Sequence, residues 1–228
     1  MVMIRLFEKI IGKKYRKSYS QCGEDILINY IFSLRGIKNP SYLDIGANDP
    51  FFLSNTAMLY SKGSSGINVE ANPTLLDKFK RLRNRDVNVN VGISDKAEEL
   101  EFYIMSDNTL STFMKAEYEA MLKQNGRLME IKKIQLITVA ELVDKYSSGV
   151  FPDLLTIDVE GMDFKILQSI DFSKTRPKVI CVEAAEYSPI GAGTRRTELI
   201  EFLESKGYYE YANTNLNAIM VDRNFWFI

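Results

Sequence analysis

The sequence predicts an α/β fold with an open, mostly parallel sheet, and three observations carry that expectation. Short apolar runs of strand length alternate with amphipathic stretches of helical spacing along most of the 228 residues. Several of those runs meet a carboxylate where a turn begins, as at Asp44, Glu70, Asp158 and Glu183. The last two runs lie close together and suit an antiparallel pair at the edge of the sheet.

Met1 to Lys17 sets Ile4, Leu6, Phe7, Ile10 and Ile11 at helical spacing among Lys and Arg, a basic amphipathic helix ahead of a main unit over residues 18–228. It lacks the long apolar core of a signal peptide. Ser20 is placed to cap a helix with Glu24 and Asp25 in its first turn, where acids offset the helix dipole. Ile26, Leu27, Tyr30, Ile31 and Leu34 are its expected inner face. Ser41 to Ile45 reads as the first strand, and a helix starting near Asn55 takes in Ala57 to Tyr60. Gly63 to Gly66 turns into the second strand. Pro73 opens a helix with Leu75, Leu76, Phe79 and Leu82 inward and Lys78, Lys80, Arg81, Arg83 and Arg85 outward. Val87 to Val91 alternates as a third strand and runs into Gly92-Ile93-Ser94-Asp95.

Leu100 to Met105 reads as a hairpin arm and Asp107 to Met114 as a polar loop near the pocket. Glu117 to Leu128 reads as a helix, Lys132 to Thr138 as a strand and Val139 to Tyr146 as a short helix. The apolar core of Leu154, Leu155 and Ile157 suits a buried parallel strand. A helix over Asp163 to Ile170, a strand over Pro177 to Glu183, a Gly-rich basic loop over Pro189 to Arg196 and a helix over Glu198 to Lys206 follow. Strands near Tyr208 to Ala212 and Ala218 to Asp222 finish the pattern. The apolar end, Phe225 to Ile228, suits either the core or the interface of a homo-oligomer.

Composition removes whole classes of function. The chain has no histidine, so Ser-His and Cys-His catalysis and imidazole metal ligands are absent. Proton transfer must fall to Asp, Glu, Lys, Tyr, Cys or a metal-bound oxygen, and any metal site must be oxygen-rich, favouring Mg²⁺, Mn²⁺ or Ca²⁺ over Zn²⁺. A net charge of -1 argues against bulk attraction to nucleic acid. Two distant cysteines make no disulfide framework, which points to a reducing, cytoplasmic setting. No run of 18 apolar residues is present to span a membrane.

In open α/β sheets ligands bind where the carboxyl ends of neighbouring strands part. Gly46, in Asp44-Ile45-Gly46-Ala47-Asn48, lets backbone approach a ligand closely, and Glu70 offers two acceptor oxygens to the two hydroxyls of a ribose. The three-glycine dinucleotide fingerprint is missing, so a ligand with a ribose and no pyrophosphate fits better. S-adenosylmethionine (SAM) is such a ligand. Asp158, Glu160 and Glu183 gather at adjacent strand ends. Two carboxylates about 5 Å apart repel. Mg²⁺ or Mn²⁺ between them would relieve the repulsion and activate a substrate hydroxyl. Alternatively one of the three acts directly as general base, or they pair with Lys or Arg and cap helices. Arg195 and Arg196 are candidates to hold a substrate phosphate.

Five stretches together resemble the FkbM family of SAM-dependent methyltransferases: Ser20-Gln21-Cys22-Gly23-Glu24-Asp25, Leu43-Asp44-Ile45-Gly46-Ala47-Asn48, Val69-Glu70-Ala71-Asn72-Pro73, Gly92-Ile93-Ser94-Asp95, and Leu155-Thr156-Ile157-Asp158-Val159-Glu160-Gly161. The resemblance implies a Rossmann-like class I methyltransferase fold, with a seven-stranded sheet and helices on both faces. It implies SAM as methyl donor and an alcohol oxygen as acceptor, here a sugar or nucleotide-linked sugar of a surface polysaccharide pathway. It carries cofactor contacts onto Gln21, Asp44, Gly46, Ala47, Asn48, Glu70, Ala71, Asn72, Ser94 and Asp95, with Asp95 by the adenine and the Ser20 to Asp25 segment closing over the site. The sequence departs from the family at Asp49-Pro50, where a glycine is usual. Two other readings stand beside it: an NAD(P)-dependent sugar oxidoreductase, which the missing fingerprint disfavours, and a non-catalytic nucleoside- or partner-binding module.

Overall fold

The computed structural model describes residues 16–159, 161–185 and 193–227. The expected N-terminal helix falls outside them except for Arg16 and Lys17, as do Glu160, the first part of the Pro189 to Arg196 loop, and Ile228.

The strands, in chain order, are β1 (Tyr42–Ile45), β2 (Gly66–Val69), β3 (Val87–Val89), β4 (Gly92–Ile93), β5 (Glu98–Met105), β6 (Leu128–Ile137), β7 (Leu154–Ile157), β8 (Val179–Glu183), β9 (Tyr208–Asn213) and β10 (Asn217–Asp222). Seven of them form one sheet in the order β3-β2-β1-β7-β8-β10-β9. β1 lies inside it, next to the central β7 and parallel to both β2 and β7, with Ile45 level with Val69 and Ile157. All four residues of β1 and of β7 are buried, as continuous apolar runs predict. Successive side chains serve opposite faces. Leu43 and Ile45 join one core with Ile166 and Leu199, whereas Tyr42 joins a second core with Ile28, Ile31 and Phe32. Helices therefore cover both faces. β10 runs antiparallel between β8 and β9, placing Asn217 opposite Glu183. The chain winds outward through β2 and β3, then crosses to β7 and β8. The strand order thus reverses between β1 and β7, where a ligand crevice opens.

Four expectations need correction. Leu100 to Met105 does pair antiparallel, but with β6, more than twenty residues on, in a separate β4-β6-β5 sheet. The helix expected to reach Leu128 runs only over Lys115–Lys123. Asn125 is left-handed (φ 65) and the Gly126 N–H closes on the Met121 carbonyl, so the chain turns into β6. Helix Glu24–Leu34 turns Ile28, Ile31 and Phe32 inward with Glu24 and Asp25, leaving Tyr30 and Leu34 exposed. Both first-turn acids are bonded there, Glu24 to Thr214 and Asn217, and Asp25 to Ser18, Ser20 and the Tyr19 N–H of the preceding segment. Finally, Arg83 is fully buried, not solvated. Its guanidinium bonds Asp86 at 2.8 Å, the Tyr42 hydroxyl at 2.8 Å and Thr56 Oγ1 at 3.0 Å. A buried arginine is stable only with such a set of acceptors.

Candidate active site

A cavity of about 400 Å³ opens at the carboxyl ends of β1, β2, β7 and β8. Its first wall is the turn after β1. Gly46 (φ 79) and Asn48 (φ 51) both take left-handed conformations, which glycine adopts freely and asparagine tolerates. A Cβ on Gly46 would run into the Asp158 carbonyl oxygen. The glycine is thus needed for contact with the end of β7, and it also lines the cavity. The Gly46 and Ala47 N–H groups donate to the Val69 carbonyl, each at 3.1 Å. Glu70 then clamps the turn: Oε2 accepts from the Asn48 N–H at 2.8 Å, and Oε1 from the Asn72 N–H at 2.6 Å. Each oxygen keeps a further lone pair for a ligand. Burial pushes the Glu70 carboxyl up to about 7, against those two hydrogen bonds. Beside it, Val91, Ile93, Phe102 and Phe113 form an apolar floor, the two rings 4.6 Å apart.

The opposite wall is acidic. Asp158 reaches into the cavity, and its carboxylate has no hydrogen bond or ion pair among the described residues. Though exposed to the cavity, it lies deep in the protein. That burial, with the charges of Asp163 and Asp44, pushes it up to about 7. On the neighbouring strand Glu183 is raised to about 8 by burial and by Asp158 and Asp163. Arg196 opposes the shift, 3.7 Å from Glu183 Oε2 and 3.6 Å from Asp163 Oδ2. The Arg196 N–H donates to the Ala184 carbonyl at 2.8 Å, which brings the residue back to the end of β8.

The cavity gathers Gln21, Gly46, Asn48, Glu70, Ala71, Asp158 and Glu183 from the expected set. The others lie off its lining. Asp44 accepts from Thr56 Oγ1 at 2.6 Å, and its burial raises it to about 6. Ala47 is buried at the turn. Asn72 caps helix Pro73–Leu82 by accepting from the Thr74 N–H. Buried Ser94 bonds Asp95, whose carboxylate pairs with Lys165 at 2.9 Å instead of facing the cavity. Arg195 is engaged by Glu210, and Arg196 by the two acids above. Glu160 lies outside the described residues. The metal expectation gains no support: among the described residues no three Asp, Glu or Cys side chains converge as ligands, and the cation beside Glu183 is a guanidinium.

Leu53, Leu216 and Asn217 also line the cavity and were not expected there. Asn217, a polar residue opening the apolar run Ala218 to Val221, was the one signal available. Phe113 lies in the Asp107 to Met114 loop expected near the pocket, whereas Phe102 gave no signal, since its place depends on how β5 docks.

A family model described as the methyltransferase FkbM domain matches residues 44–209. No curated protein matches the chain significantly. Among solved structures, the FkbM methyltransferase of Methylobacillus flagellatus is similar at 11% identity and a TM-score of 0.45, over 80% of this chain. The present chain spans only 43% of that protein's length. A TehB-like SAM-dependent methyltransferase of Corynebacterium glutamicum aligns at 11% identity over 97% of this chain and 96% of its own, with a TM-score of 0.45. The precorrin-6y C5,15-methyltransferase of Geobacter metallireducens aligns at 15% identity over 91% of each chain, with a TM-score of 0.44. At TM-scores below 0.5 these likenesses assign no residue a role.

Proposed function

The chain belongs to the FkbM methyltransferase family, and from that premise we propose that it moves a methyl group from SAM to a hydroxyl oxygen of a small polar acceptor, a sugar or nucleotide-linked sugar. When bound, SAM supplies an electrophilic methyl group, and its transfer to an alcohol releases one proton. The observation that carries the reading is the division of one cavity into a Glu70 and apolar-floor side and an Asp158–Glu183 side. Glu70 takes the ribose hydroxyls on its two free lone pairs, and Val91, Ile93, Phe102 and Phe113 hold the base. Gln21, Asn48 and Asn217 offer amides to a polyhydroxyl acceptor.

Asp158 and Glu183 receive the proton. A carboxylate raised toward neutral pH is a stronger base than an ordinary one and is still ionised part of the time. Two such groups on adjacent strands share the task, one ionised while the other stays protonated. Arg196 keeps Glu183 from rising further. Among the described residues no Lys or Arg lines the cavity, so a nucleotide-linked acceptor enters by its sugar and leaves its phosphates at the mouth. The polysaccharide pathway and the cytoplasmic setting rest on the resemblance and the cysteine usage. Among the described residues no helix is long and apolar enough to cross a membrane.

Calorimetric titration with SAM, followed by turnover on a panel of sugars and nucleotide sugars with and without EDTA, tests the reading. SAM binding with EDTA-resistant turnover is expected. EDTA-sensitive turnover rescued by Mg²⁺ or Mn²⁺ would return a metal to the site, and absence of SAM binding would sink the proposal.

A further inference from the structure

Glu24 is fully buried at the start of its helix, and its partners among the described residues lie in the segment before that helix, in the turn between β9 and β10, and at the first residue of β10. Its Oε2 accepts from the Cys22 N–H at 2.8 Å. Its Oε1 accepts from Thr214 Oγ1 at 2.7 Å and from Asn217 Nδ2 at 2.9 Å. Burial works against its ionisation, yet the bonds from Asn217, Thr214 and the Cys22 N–H hold the carboxyl below its ordinary range. Glu24 is therefore a carboxylate at neutral pH, and a carboxylate only accepts. That settles which end of the Asn217 amide faces it: the NH₂ group does, and the carbonyl Oδ1 does not. Oδ1 makes no hydrogen bond among the described residues, although Asn217 is only 8% exposed and lines the cavity. Asn217 also stands directly opposite Glu183 in the β8–β10 register.

We propose that Asn217 determines acceptor specificity: its Oδ1, aimed into the cavity by Glu24, accepts a hydrogen bond from a second hydroxyl of the acceptor while Asp158 and Glu183 serve the reacting one. This rests on the reading of the cavity as a methyltransferase site and narrows the acceptor to a polyol with neighbouring hydroxyls. Glu24 is a positioning residue, because it touches Asn217 and not the substrate. An acceptor whose second group is an ether, with no proton to donate, leaves Oδ1 buried and unpaired and binds poorly.

The test is calorimetry on the full chain loaded with S-adenosylhomocysteine, titrated with methyl α-D-glucopyranoside and with UDP-glucose. Asn217→Ala is expected to weaken both sugars about tenfold, as for one lost hydrogen bond, with S-adenosylhomocysteine affinity unchanged. Glu24→Gln keeps the side chain's size but brings a donor to Asn217, so the amide can turn over. It is expected to weaken the sugars by a similar factor, and the double variant by no more than either alone. Glu24→Gln also serves if Asn217→Ala does not fold. Equal sugar affinity in wild type and variants would overturn the proposal, as would a loaded wild type that binds neither sugar. A wild type that fails to bind S-adenosylhomocysteine would instead overturn the methyltransferase reading and this inference with it.

Discussion

On the β2 side of the cavity, both oxygens of Glu70 already hold backbone N–H groups of the turns they meet. On the β7–β8 side, Asp158 holds nothing among the described residues, and Glu183 has only a guanidinium at 3.7 Å. The first wall is held by its own hydrogen bonds. The second wall carries unrelieved charge, which is how a protein keeps carboxyls reactive near neutral pH. One side is built to hold, the other to take a proton.

The largest expected effect breaks the holding side from beneath. Arg83→Leu leaves Asp86 buried without its partner and frees Thr56, which holds Asp44. A loss of about 3–5 kcal/mol of stability is expected, measured by urea unfolding. A loss under about 1 kcal/mol would mean that the network is dispensable. Next, Glu70→Ala removes the clamp on Asn48 and Asn72 together with the ribose acceptors. SAM affinity should fall about 100-fold, as for two hydrogen bonds to a charged group. Calorimetry showing unchanged affinity would remove Glu70 from the cofactor site.

On the reactive side, Glu183→Gln should lower kcat about 10²-fold, the usual contribution of a general base, with SAM affinity kept. In the wild type the rate should rise with pH through about 7 to 8 as the Asp158–Glu183 pair loses its proton. An unaltered pH profile in the variant would transfer the role to Asp158 alone. The smallest effect is on stability. Glu183 is raised from its ordinary 4.5 to about 8 in the folded protein, so the native state holds its proton longer than the unfolded chain. Its contribution is fully present below about pH 4.5 and is lost as pH rises through about 8. The melting temperature of Glu183→Gln should therefore fall less than that of the wild type between pH 5 and 8. Parallel curves would show that Glu183 titrates normally.

Legibility in the sequence follows the same division. β1, β2, β7 and β8 were readable because burial on both faces forces short, mainly apolar runs, and Gly46, Asn48 and Glu70 because a turn against a strand end favours those residue types locally. Arg83 was read as a surface charge, since nothing in its own helix announces that Asp86, Tyr42 and Thr56 converge on it. Local pattern makes Glu24 a dipole-compensating acid and the resemblance makes it part of a segment closing over the site, but neither shows its bonds to Thr214 and Asn217, about 190 residues away.

From the order of residues alone came the alternation of strands and helices, the absence of imidazole chemistry, the turn after β1 and the placement of four acids at strand ends. Each follows from short-range sterics, periodicity or composition. The docking of the β4-β6-β5 sheet beside the cavity, the lack of a partner for Asp158 among the described residues, the guanidinium beside Glu183 and the orientation of the Asn217 amide belong to the folded chain. They depend on contacts between distant segments, whose energies no local pattern records.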